Sequence, residues 1–193
     1  MSRTPSTMML ELGSKAPAFE LPDANGKRHS LEDFVGAPGL VVMFISNHCP
    51  FVKLIRDELA TVATQYQRRG IAFVGINSND VDKYPDDSPI KMLEESRAAG
   101  YTFPYLFDET QNVAKNYLAA CTPDIYVFDR TQSLVYRGQF DAARPGNGIE
   151  PSGADLRNVL DNLLENKRIA SHQIPSIGCN IKWKPGNEPA YFG

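Results

Sequence analysis

Leu40-Val41-Val42-Met43-Phe44-Ile45-Ser46-Asn47-His48-Cys49-Pro50-Phe51-Val52-Lys53 is the stretch whose reading decides the fold. Leu40 to Ile45 form a continuous apolar run of strand length. After Pro50 the period changes. Val52, Ile55, Leu59, Val62 and Tyr66 recur at spacings of three and four, with Lys53, Arg56, Asp57 and Gln65 between them. That pattern predicts an amphipathic helix ending near Gly70. Cys49 therefore sits where a buried strand turns into a helix. Pro50 suits the first helical position, where its missing N–H costs nothing. A thiol at this turn faces unpaired backbone N–H groups and the positive end of the helix dipole, and both favour the nucleophilic thiolate. Such turns lie at the carboxyl edge of an α/β sheet, where sites are built. Cys49 thus reads as redox-active or nucleophilic rather than as a small buried hydrophobe.

Working outward, Ile71 to Asn77 is a second apolar strand, so strand, helix and strand make a βαβ unit with parallel strands. Upstream, residues 1–13 read as a flexible start and Lys15 to Pro22 as an extended segment. Asn25-Gly26 marks a tight reversal. Ser30 is expected to cap a short helix through Val35. Downstream, Asn79 to Asp87 carries Asp80, Asp82, Asp86 and Asp87. It lacks the glycine and terminal glutamate of a calcium loop and reads as a solvated loop. Ser88-Pro89 should start a helix that Gly100 ends. Phe103 to Asp108 reads as a short strand, with Pro104 pointing to an edge. Gln111 to Leu118 reads as a small helix, and Asp124–Asp129 with Ser133–Gly138 as an antiparallel hairpin. Ser152 is the expected cap of a last helix with Leu156, Val159, Leu160, Leu163 and Leu164 on one face.

After Lys167 the periodicity fails, and a coil-like tail is expected. The tail holds Cys179, Trp183, Tyr191 and Phe192, enough apolar surface to pack on its own domain or on a partner subunit. The expected organisation is one domain over residues 1–166 and a tail over 167–193.

Composition narrows the function class. A chain of 193 residues with 42% hydrophobic residues suits a single domain with a good-sized core. A net charge of −3 argues against nucleic acid or an anionic membrane surface as partner. No apolar run is long enough to span a bilayer. Residues 1–10 lack the apolar core of a secretory signal, so a cytoplasmic protein is expected. Three cysteines in a reducing compartment are more consistent with reactive or buried thiols than with structural disulfides. No two of them have the short spacing of a zinc knuckle, so neither a metal nor a cofactor is expected.

Three segments carry a family resemblance. They are Val41 to Lys53, Thr122-Pro123-Asp124 before the hairpin, and Tyr136-Arg137-Gly138 at its end. With them the order of elements resembles the thioredoxin fold: an α/β arrangement of a central mixed sheet flanked by helices, here with an N-terminal extension and a long C-terminal tail. Within that superfamily the chain looks most like the peroxiredoxin-like group of the alkyl hydroperoxide reductase/thiol-specific antioxidant family. The Asn47-His48-Cys49-Pro50 turn and Gly178-Cys179-Asn180-Ile181-Lys182-Trp183 carry that narrower likeness. Ser46 matches the family's hydroxyl position three before the cysteine. Two positions depart: Val52 stands where a CxxC motif has its second cysteine, and Val42 where peroxiredoxins have a proline.

The resemblance implies a thiol-dependent oxidoreductase or antioxidant protein acting on a peroxide or a thiol/disulfide substrate, with a cellular dithiol as reductant. It implies that Pro123 is a cis-proline facing Cys49 and that Thr122 offers backbone groups to a bound thiol or peptide. Ser46, Asn47, His48, Pro50, Thr122 and Pro123 are thus the expected substrate-binding residues, around a catalytic Cys49. A second thiol must finish the cycle. Cys121, two residues before Pro123, and Cys179, in the tail and able to reach its own or a neighbouring chain in a homodimer, are the candidates; fold geometry favours Cys121. The competing classes are a binding module that keeps the fold without catalysis, and a sensor thiol oxidised without turnover.

Overall fold

The computed structural model describes residues 3–192. Its centre is strand β4 (Gly39–Phe44), buried along its whole length. β4 pairs in parallel with β5 (Ala72–Asn77) on one side and antiparallel with β8 (Asp124–Asp129) on the other. β6 (Tyr105–Phe107) joins β5 in parallel and β9 (Leu134–Gly138) joins β8 antiparallel. The five-stranded sheet thus runs β6-β5-β4-β8-β9, a mixed sheet. The edge position of β6 agrees with Pro104 just before it, since a proline cannot donate to a central ladder.

Side chains along β4 alternate between two cores, as the pleat requires. Val41, Met43 and Ile45 pack with Val52, Ile55, Leu59, Val62 and Tyr66 of α1 (Pro50–Gln67) and with Leu156, Val159 and Leu160 of α4 (Ala154–Leu164). Leu40, Val42 and Phe44 pack on the other face with Phe19, Leu21, Leu31, Tyr117, Ile181 and Trp183. Each fully buried Val, Leu, Ile or Phe contributes about 1.5–3 kcal/mol relative to exposure. Tyr117 anchors the second core: it sits edge-on to Phe44, Tyr126 and Phe128, and its hydroxyl donates to the Pro17 carbonyl at 2.9 Å.

Several local expectations change. Residues 3–13 are not free: β1 (Thr4–Pro5) is a paired strand. β2 (Glu20–Pro22) and β3 (Arg28–Ser30) flank the Asn25-Gly26 turn. Leu31–Phe34 is a 3-10 turn in which Asp33 accepts from the Ser30 N–H. α2 (Pro89–Ala99) begins after Ser88 and ends at left-handed Gly100, as read. α3 (Asn112–Asn116) is shorter than expected. The cap of α4 is Gly153 and not Ser152. The cause is Asp141, whose carboxylate accepts from both the Ser152 and Gly153 N–H groups and fixes the turn from outside it.

The larger correction is the tail. It contains a strand, β10 (Ile177–Asn180), which lies between β1 and β7 (Cys121–Thr122) in a second small sheet. Gly178 explains why this strand can approach so closely. A Cβ there would meet the Thr122 carbonyl oxygen at 1.9 Å, so no larger residue fits without moving the strand.

Candidate active site

Cys49 is the N-cap of α1, with Pro50 at the first helical position. The Lys53 N–H donates to the Cys49 carbonyl at 2.9 Å, closing the first helical turn. The Cys49 side chain is fully buried. As a thiol it donates to the Thr122 carbonyl at 3.1 Å. As a thiolate it faces donors from three elements. The Cys179 thiol is the strongest influence, followed by burial, which opposes ionisation, and then by the Thr122 hydroxyl, the Val52 N–H and the Cys179 N–H. Together they lower its pKa to about 5. Cys179 moves the other way: its hydrogen bond to Cys49, then burial, then the Cys49 charge all favour its protonated form. α1 presents its N-terminus to Cys49, so Cys49 is the thiolate of the pair and Cys179 the donor.

The peptide bond between Thr122 and Pro123 is cis. β7 carries Thr122 to the edge of Cys49, and β10 carries Cys179 directly opposite Thr122. Directly opposed residues of an antiparallel pair project to the same face, and the next residues to the other. Cys121, opposite Asn180, therefore turns away. Its thiol donates to the Pro123 carbonyl at 3.5 Å, and burial pushes its pKa well up. Cys121, the thiol favoured from its place in the chain, is thus turned to the Pro123 carbonyl, while Cys179 stands opposite Thr122 and lowers the Cys49 pKa.

The turn before Cys49 is tied to the acidic loop, which is solvated only in part, with Asp82 and Asp86 exposed. Asn79, Asp80 and Asp87 are buried. Asp87 accepts from the Asn47 N–H at 2.7 Å, the Asn79 amide at 2.7 Å and His48 Nδ1–H at 2.6 Å. Burial alone would raise its pKa, but the bonds from His48, Asn79 and Asn47 and the attraction to His48 hold it below the usual value, so it is a carboxylate. The Asn47 amide donates to the Asp86 carbonyl, and the Tyr105 hydroxyl donates to Asn47 Oδ1. The His48 ring stacks on Tyr84 at 5.2 Å and 9°. The Ser46 hydroxyl lies 3.5 Å from His48 Nδ1.

Of the residues named from sequence, Thr122 and Cys179 act on the Cys49 sulfur, Pro50 and Pro123 shape the two turns beside it, and Ser46, Asn47 and His48 form its supporting turn. Tyr84 has no role in the sequence reading, Asp87 enters it only as part of a solvated loop, and Gly178 only as part of the segment that carries the family likeness. The only signal was the density of aspartates at 80–87, and composition cannot distinguish a buried hydrogen-bonded carboxylate from a solvated one. A further buried acid follows the cis-proline. Asp124 accepts from the Ala120 N–H and the Tyr126 hydroxyl, and burial pushes its pKa up to about 7. Among the described residues, no group of three or more His, Cys, Asp or Glu is arranged to hold a metal ion, and no helix is long and apolar enough to cross a membrane.

Comparison with known proteins agrees with this fold. A putative peroxiredoxin of Mycobacterium tuberculosis is 34% identical over 111 residues, which span 55% of this chain and 63% of the relative's length. The crystal structure of a hypothetical protein from Sinorhizobium meliloti superposes with a TM-score of 0.93 at 51% identity, covering 95% of this chain and 100% of the other. A putative thiol:disulfide interchange protein from Chlorobium tepidum shares the fold, with a TM-score of 0.62 at 20% identity over 80% of this chain and 99% of the other. The model of the AhpC/TSA family matches residues 12–137, from the N-terminal extension through β9, and the chain belongs to that family, on a thioredoxin-like fold.

Proposed function

We propose that the chain is a dithiol oxidoreductase in which Cys49 is the attacking thiolate and Cys179 the resolving thiol. The observation that carries this reading is the strand register, which sets Cys179 opposite Thr122, the residue whose carbonyl accepts from the Cys49 thiol at the start of α1. With a hydroperoxide, the Cys49 sulfur attacks the terminal oxygen. An S–O bond forms, the O–O bond breaks, and the leaving hydroxide or alkoxide takes a proton. Cys179 then attacks the Cys49 sulfenic sulfur: the S–S bond forms, the S–O bond breaks and water leaves with the Cys179 proton. With a disulfide, Cys49 forms a mixed disulfide and releases one thiolate, and Cys179 displaces the second. A cellular dithiol returns the Cys49–Cys179 disulfide to two thiols.

In this reading residues 1–166 carry the thiolate and the segment from 167 carries the second thiol, in one chain. Work in the cytoplasm, where a dithiol reductant is to hand, fits three thiols held free. The test is one equivalent of hydrogen peroxide on reduced protein, followed by thiol blocking and non-reducing peptide mapping. A Cys49–Cys179 link at monomer size is expected. A Cys49–Cys121 link, or a link only between chains, would reassign the resolving thiol. Sulfenic acid on Cys49 without a disulfide would favour the sensor reading, and three untouched thiols the binding module.

A further inference from the structure

β10 does more than present Cys179. It occupies the open edge of β7, the two-residue strand that ends at the cis-proline beside Cys49. An extended polypeptide that brought a disulfide to Cys49 would pair with that edge, because main-chain addition to a free strand is how such segments dock. Here the edge is already paired. The Ile181 N–H donates to the Ala120 carbonyl and continues the same ladder. Gly178 lies so close over the Thr122-Pro123 peptide that even a methyl group has no room.

The strand is also fixed on both sides. Upstream, the Ser176 hydroxyl donates to the Gly138 carbonyl at 2.6 Å, and the Ser6 N–H donates to the Ser176 carbonyl at 2.8 Å. Downstream, the Lys182 N–H donates to Asn79 Oδ1 at 2.8 Å, while its carbonyl accepts from the Asp80 N–H at 2.7 Å and the Gln111 amide at 2.9 Å. Trp183 is buried against the second core. This tail is a clamped strand, and Cys49 beneath it has no exposed surface.

We propose that β10 is the specificity-determining element of the site: by filling the β7 edge it excludes polypeptide disulfides and restricts Cys49 to small oxidants, hydroperoxides and low-molecular-weight disulfides. The proposal rests on the dithiol reading above and narrows its substrate class.

The experiment uses the full-length reduced protein and follows Cys49 by intact mass with three oxidants. These are hydrogen peroxide, 2-hydroxyethyl disulfide, and a short unstructured peptide whose single cysteine is capped with 2-mercaptoethanol. The two disulfides expel the same thiol, and the same pair run in urea gives their intrinsic rate ratio. In the native protein the peptide should react at least about a hundredfold more slowly than 2-hydroxyethyl disulfide after that correction, because β10 must open first. Gly178→Val, whose side chain has no room against Thr122, should lift the strand and bring the ratio back toward one, with Trp183 emission reporting the displaced tail. A native ratio near that in urea overturns the proposal and leaves the dithiol cycle standing, whether or not the valine variant folds. So does a folded Gly178→Val with an unchanged ratio. If none of the three oxidants touches Cys49, the dithiol reading itself fails.

Discussion

Cys121 and Cys179 sit on paired strands one register position apart, both buried, both near Cys49. Cys179 stands opposite Thr122 and lowers the Cys49 pKa, while Cys121 donates to the Pro123 carbonyl with burial holding it protonated. Proximity along the chain to the cis-proline favours Cys121. Pleat parity reverses the choice, because Thr122 and its opposite residue share a face and Cys121 does not. Which thiol is near a site and which thiol is presented to it are decided by different things: chain connectivity and strand register.

The widest separation between the two thiols should come from Cys49 itself. Cys49→Ser is expected to abolish oxidant-driven disulfide formation at both Cys121 and Cys179, read by non-reducing peptide mapping. A disulfide between Cys121 and Cys179 in that variant would break the comparison, since it would show that neither thiol depends on Cys49.

Next comes the donor role. Cys179→Ala removes the strongest influence on Cys49, so the midpoint of its alkylation rate against pH should rise from about 5 towards the ordinary thiol value of 9. Cys121→Ala should leave that midpoint in place. The sign also appears in stability. A lowered thiol pKa contributes stability that is present above the unfolded value and lost as pH falls through the folded one. Reduced wild type should therefore gain on Cys49→Ser between pH 5 and 9, by denaturant unfolding, and Cys179→Ala should flatten that gain.

A smaller effect is expected at the supporting turn. Asp87→Ala leaves the Asn47 N–H, the Asn79 amide and His48 without their acceptor, and each unsatisfied buried donor costs about 1–3 kcal/mol. Chemical denaturation should show that loss, and the Cys49–Cys179 disulfide should form more slowly while still forming. Unchanged stability would mean that the acidic loop is not what holds the turn.

Smallest is Cys121→Ser. Its hydroxyl can keep a bond to the Pro123 carbonyl, so stability should change by about 1 kcal/mol or less, and the rate of Cys49–Cys179 disulfide formation by less than about twofold, the span of a minor rearrangement. A larger loss of rate would return Cys121 to the cycle.

Much of the fold was legible because its signals are local. The run from Leu40 to Ile45 is apolar on both faces because β4 is buried on both, and the three-and-four spacing after Pro50 is the face of α1 that meets it. The placement of Cys49 at the helix start, with Pro50 behind it, follows from those two patterns alone. The acidic loop misled because Asp80 and Asp87 have the composition of a surface segment; their partners lie at Lys182, Asn47 and His48, up to about a hundred residues away along the chain.

What the sequence by itself determined is therefore the half of the site built by one strand–turn–helix: a cysteine at a helix N-cap, at the carboxyl edge of a mixed sheet, in a chain of the AhpC/TSA family. What only the tertiary structure decided is the half that comes from elsewhere. The tail has no periodicity of its own, since a four-residue strand with a glycine at its centre leaves no pattern to read. Its register against Cys121–Thr122 exists only once both segments are folded onto the same edge. That register aims Cys179 at Cys49 and turns Cys121 away, because side chains on a strand alternate and a shift by one residue exchanges the faces.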